Sequence, residues 1–108
     1  MMLMAERMVK KVLKLKLAIS KGNKKLIPIT EAILKLKEKV VVAQTRMGKA
    51  KGPVKKYIAL VVRHSVNQIK KQKLADKITK LNLKDKAKLI PLEKKLAKYG
   101  IVIPDMDK

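Results

Sequence analysis

The chain has no cysteine, no tryptophan and no phenylalanine, and its 108 residues hold one histidine and eight acidic side chains. Each shortage closes off some chemistry. Without cysteine there is no disulfide, no thiolate zinc site and no thiol nucleophile, which fits a cytoplasmic or other reducing intracellular compartment. With Tyr57 and Tyr99 as the only aromatics, the platforms on which single-strand and RNA-loop readers stack bases are missing. The lone His64 has no serine nucleophile and orienting acid arranged around it, and Glu31 and Glu38 stand two helical turns apart facing solvent. The sequence therefore reads as a non-enzyme that needs neither a metal nor an organic cofactor. Its four glycines, Gly22, Gly48, Gly52 and Gly100, form no phosphate-cradling loop, because the segment GKAKGP lacks the P-loop spacing and a preceding strand. Long apolar runs are absent too: the N-terminal methionines soon meet Glu6, Arg7, Lys10 and Lys11, which rules out the uninterrupted core of a signal peptide or membrane span.

What the chain has in excess is positive charge. Twenty-nine basic residues against eight acidic ones leave a formal charge of +21, so a compact state repels itself unless a polyanion neutralises it. Only Arg7, Arg46 and Arg63 are arginines; the rest are lysines, which act as point charges without the planar fork that reads guanine or grips phosphate in two places. Lysine excess also follows from genome composition or hot growth, but neither accounts for the net charge. The partner implied is RNA or duplex DNA, held through its phosphate backbone with little sequence preference.

The length supports one small domain over residues 1–108, and 47% apolar residues allow a modest core. Apolar spacing predicts an all-α fold. Residues 4 to 20 form a helix with Met4, Met8, Val12, Leu15 and Ile19 on one face and Gly22 as its stop. Ala5, Val9, Leu13 and Leu17 widen that face, so residues 4–19 invite a protein partner or self-association. Thr30 caps a second helix to Met47, where Ile29, Ile33, Leu36, Val40, Ala43 and Met47 alternate by four and three. The turn Gly48 to Pro53 then leads into a third helix over 53 to 73, antiparallel to the second, with Val54, Ile58, Val61, Ser65 and Ile69 inward. Beyond Gln72 the apolar face rotates, which predicts a break near 72 to 76 and a separate short helix. A last helix runs from a cap at Asp85 to a stop at Gly100, started or kinked by Pro91. The tail from Ile101 carries an apolar stretch followed by Asp105 and Asp107, and docks or frays. The motif KLIP occurs twice, at Lys25 to Pro28 and Lys88 to Pro91. The expected architecture is a small bundle of four to five helices around a central antiparallel hairpin.

The candidate binding residues follow from this layout. Lys56, Arg63 and Lys70 repeat every seven residues, about 10.5 Å apart along a helix, and form a ridge opposite the expected apolar stripe. Lys55 and Lys71 flank the ridge, Lys49 and Lys51 extend it into the turn, and Lys35, Lys39 and Arg46 line the outer face of the second helix. The expectation is a structural protein that neutralises phosphate in a large nucleoprotein assembly, with an rRNA-binding ribosomal protein as the favoured setting. The alternatives are a DNA-packaging nucleoid or nucleocapsid protein and, less favoured because tryptophan and phenylalanine are absent, an amphipathic membrane-surface protein.

Overall fold

The computed structural model describes residues 2–106 and contains two helices, α1 (Met2–Lys49) and α2 (Lys55–Ala97). The all-α expectation holds, but the four to five helices and the bundle do not. Gly22, Thr30, the 72 to 76 segment and Asp85 all lie inside helices, as do Pro28 and Pro91. The third helix begins at Lys55 rather than 53, with the amides of Tyr57 and Ile58 donating to the Val54 carbonyl at 3.0 and 3.1 Å.

One repeat explains why the helices run on. In α1 the buried and half-buried positions pass from Met8 through Val12, Leu15, Ile19, Gly22 and Leu26 into the seam at Ile29 and Ile33 without a slip. Every step is three or four residues, the period of a coiled-coil seam. Pro28 falls on the exposed side of that repeat. It removes one helical hydrogen bond and costs about 3 kcal/mol. Burying a single Ile or Leu returns about 1.5–3 kcal/mol, so the apolar positions on either side outweigh one proline.

The chain divides into two compact units. Unit 2, Leu26–Lys77, is the hairpin around the 50–54 connection. Its seam buries Ile33 and Ala43 from α1, while α2 offers Tyr57, Val61, His64 and Gln68, all half-buried. Of the stripe expected inward, Val54, Val61 and Ser65 are half-buried, but Ile58 and Ile69 are displaced, 48% and 56% exposed. The apparent rotation beyond Gln72 has the same origin. The packing phase of α2 stays constant through Ala75 and Ile78, and it is Ile58, Val62 and Ile69 that stand off it.

Unit 1 pairs the residues up to Lys25 with those from Ile78 onward. Val12, Ile19, Leu89 and Leu96 form its core, with Met8, Val9, Leu15 and Leu92 against it. Most of the wide apolar face of residues 4–19 is thus covered within the chain, leaving Met4, Leu13 and Leu17 outward. A polar layer interrupts the apolar seam where buried Asn82 donates to Asn23 Oδ1 at 3.0 Å. Gly22 makes room for it. A Cβ there would overlap Asn82 Oδ1 and come within 3.0 Å of its Cγ, so this glycine is a packing residue rather than a helix stop.

The expected stop at Gly100 is present. With φ at 74°, Gly100 donates to the Ala97 carbonyl at 3.0 Å and Ile101 to the Leu96 carbonyl at 3.1 Å, the paired bonds of a Schellman C-cap. The turn sends the tail back over the core, where Ile101 and Ile103 pack. Lys16, only 4% exposed, fastens it by donating to the Ile103 carbonyl and to Asp105 Oδ1 at 2.9 Å. Glu93 lies 3.8 Å from the same ammonium. Asp107 lies outside the described residues.

Gly22→Ala gains about 1 kcal/mol of helix propensity but displaces a buried, hydrogen-bonded Asn82, at a cost of about 1–3 kcal/mol. A net loss of up to about 2 kcal/mol is expected in denaturant unfolding, recovered when Asn82→Ala is added. Pro28→Ala is expected to raise stability by about 1–3 kcal/mol; an unchanged midpoint would show that the proline costs nothing where it sits. Asp105→Asn leaves Lys16 buried with a weaker set of partners, so amide protection over 101–106 should fall while the helices keep theirs, as hydrogen exchange would show.

Candidate nucleic-acid interface

The seven-residue repeat that sets the seam also sorts the remaining side chains onto two flanks of each unit. In unit 2 one flank is basic. Lys35, Lys39, Lys70 and Lys71 line an open groove of about 510 Å³ with Asn67, over a floor of Ala32, Leu36 and Leu74. Arg46 follows Lys39 by seven residues, and Lys56 and Arg63 precede Lys70 by fourteen and seven, so all stand on this flank and all are exposed. At Lys70 the ridge read from the sequence meets Lys35 and Lys39 of the preceding helix across one groove. Lys56 Nζ also sits 5.0 Å from the centre of the Tyr57 ring, a cation–π contact that holds its ammonium at the surface.

Three of the expected residues fall elsewhere. Lys49 ends α1 and Lys51 lies in the connection, both exposed. Lys55 is exposed at the start of α2 but stands one position before Lys56, off the ridge and toward the other flank. Lys71 occupies a seam position by spacing, yet its side chain is exposed and turns into the groove.

Unit 1 carries a denser basic surface that residue spacing within the expected short helices does not single out. Arg7, Lys10, Lys11, Lys14, Lys95 and Lys98 line an open groove of about 760 Å³ together with Met4, Met8, Leu92 and Tyr99, and no carboxylate lines it. A second hollow of about 600 Å³ shares Lys11 and Lys14 and adds Lys88 beside Pro91. Two carboxylates stand away from it: Glu93 and Asp105 gather with Lys16 and Asn23 around the docked tail. A signal for this groove exists in the sequence. The spacing that picks out Lys56, Arg63 and Lys70 continues through Lys77, Lys84 and Lys98, broken only at Pro91, but an expected helix break near 72 to 76 hides it.

Tyr99 is 51% exposed at the end of this groove. One half-exposed ring is not a stacking platform for successive bases. The grooves offer ammonium groups spaced along helices over an apolar floor, which suits a chain of phosphates rather than a small ligand. Among the described residues no group of three or more His, Asp or Glu side chains converges to hold a metal, and no helix is long and apolar enough to cross a membrane. No protein-family model, no curated protein and no solved structure matches this chain.

Proposed function

We propose that the chain is a structural nucleic-acid-binding protein that neutralises phosphate backbone through the basic flanks of its two units. The observation that carries this reading is the unit 1 groove, where Arg7, Lys10, Lys11, Lys14, Lys95 and Lys98 converge with no carboxylate among them. A merely solvated lysine surface would scatter acids among the bases. Here Glu93 and Asp105 gather instead around Lys16, away from the groove. Lysine rather than arginine supplies most of the charge, and direct reading of base edges has no equipment, so affinity comes from counterion release. The setting proposed is a large nucleoprotein assembly, a ribosome in the first place and packaged DNA in the second.

The test is a salt titration of duplex DNA, duplex RNA and structured RNA binding by the full chain. Replacing Lys11, Lys14 and Lys95 by Gln should lower affinity at least tenfold and flatten the log–log salt slope by about 0.9 for each duplex phosphate no longer neutralised. Replacing Lys56, Arg63 and Lys70 by Gln should do the same in unit 2, and sequence changes in the nucleic acid should matter little. If both triple variants retain the wild-type slope, the groove assignment is wrong. A preference for structured RNA supports the ribosomal setting, and a preference for duplex DNA supports packaging. Tight binding to anionic vesicles with none to nucleic acid overturns the proposal.

A further inference from the structure

Opposite its basic flank, unit 2 has a face that nothing in the described chain covers. Leu34 and Val41 stand seven residues apart on α1, and Ile58, Val62 and Ile69 form the matching stripe on α2; all are between 48 and 59% exposed. Ile58 and Ile69 are the residues displaced from the intramolecular seam, where α2 places His64 and Gln68 beside Val61. An amphipathic helix that turns polar residues to its own partner and apolar ones outward has a second partner to satisfy.

The charges around this face say which. Glu31, Glu38 and Asp76 are all the acidic residues between 26 and 77: Asp76 follows Ile69 by seven in line with the stripe, and Glu31 and Glu38 stand on the outer line between the stripe and Lys35. Lys37, Lys55 and Lys73 are the bases on the same side. The face is therefore neutral and carries both signs at its rim, while the other flank of the same hairpin carries Lys35, Lys39, Arg46, Lys56, Arg63 and Lys70 with no acid. An acidic partner would be drawn to that other flank. A chain of formal charge +21 can approach another copy of itself only through a surface where repulsion is locally cancelled.

We propose that this face of unit 2 is a self-association surface, and that its occupant is the same face of a second copy in an isologous dimer. Leu34, Val41, Ile58, Val62 and Ile69 meet their counterparts, as apolar stripes do between the helical layers of a four-helix packing. Acidic and basic rim residues of each copy face those of the other. The basic flanks of both copies of unit 2 point outward, so the dimer presents phosphate-binding surfaces on opposite sides. The idea stands independently of the nucleic-acid reading, because the dimer forms without a polyanion.

Sedimentation equilibrium on the nucleic-acid-free chain tests it, read from about 0.1 to 1 M salt, across which the screening length falls from about 10 to 3 Å. The expected result is a dimer that tightens with salt, since screening removes long-range repulsion and leaves apolar burial intact. Nucleic-acid binding moves the opposite way. Val41→Lys with Val62→Lys should weaken the dimer at least a hundredfold, with helical circular dichroism retained; Lys35→Gln with Lys70→Gln should leave it unchanged or tighter. A wild-type chain that stays monomeric at hundreds of micromolar in high salt overturns the proposal. So does a dimer that loosens with salt, or one indifferent to Val41 and Val62. If the Val41 and Val62 variant loses its helicity, the wild-type salt dependence alone decides.

Discussion

Each unit of this protein pairs one stretch of α1 with one stretch of α2 and so has a single internal seam, and its other properties are arranged around that limit. Each helix can hide about two positions in seven from water against the other, and the chain spends those positions on a strict alternation of three and four. Where the seam is apolar, as at Val12, Ile19, Leu89 and Leu96, it makes a core. Where it is polar, as at Asn82 against Asn23 and Gly22, it fixes alignment instead. A close fit between an amide and a bare backbone does not survive a slip along the helix, so the layer acts as a register mark.

The same limit leaves two flanks on each unit, and the chain sorts charge between them. In unit 1 the acids Glu93 and Asp105 surround a buried Lys16 and help retain the tail, whereas the opposite flank is a groove of cations. In unit 2 the acids border an apolar face and most of the cations take the other side. Repulsion among so many lysines is eased by spreading them along helices, where neighbours at seven-residue intervals stand about a screening length apart at moderate salt. That spacing also leaves room for phosphates between them.

Much of this is legible in the sequence, and the failures have a common cause. The helical class, the antiparallel turn at 48–53, the seam from Ile29 to Met47, the ridge at Lys56, Arg63 and Lys70 and the stop at Gly100 all follow from spacing and turn chemistry. The errors come from reading punctuation as boundaries. Gly22 and Thr30 look like the end of one helix and the start of another, yet the steps from Ile19 through Gly22 and Leu26 to Ile29 keep the repeat intact. On α2 part of the expected apolar stripe, Ile58 and Ile69, faces outward, because His64 and Gln68 take the seam beside Val61. Local hydrophobicity cannot distinguish a surface turned toward the chain's own partner helix from one left facing outward; only the repeat carried across the whole helix does so.

The lock between Lys16 and Asp105 joins residues separated by 89 positions, and the loop it closes contains all of α2 and most of α1. Pairings next to the 50–54 connection close short loops, and closure entropy grows with loop length. Folding by zipping from the turn therefore reaches this lock last. During synthesis the delay is enforced by chain order: most of α1 is made before its partners in α2, and the ammonium of Lys16 stays unmatched until residues 103 to 105 follow. The first stretch of α1 is thus a nascent helix without a partner while nearly all of α2 is being added, and a strongly cationic one, open to whatever polyanion stands nearest.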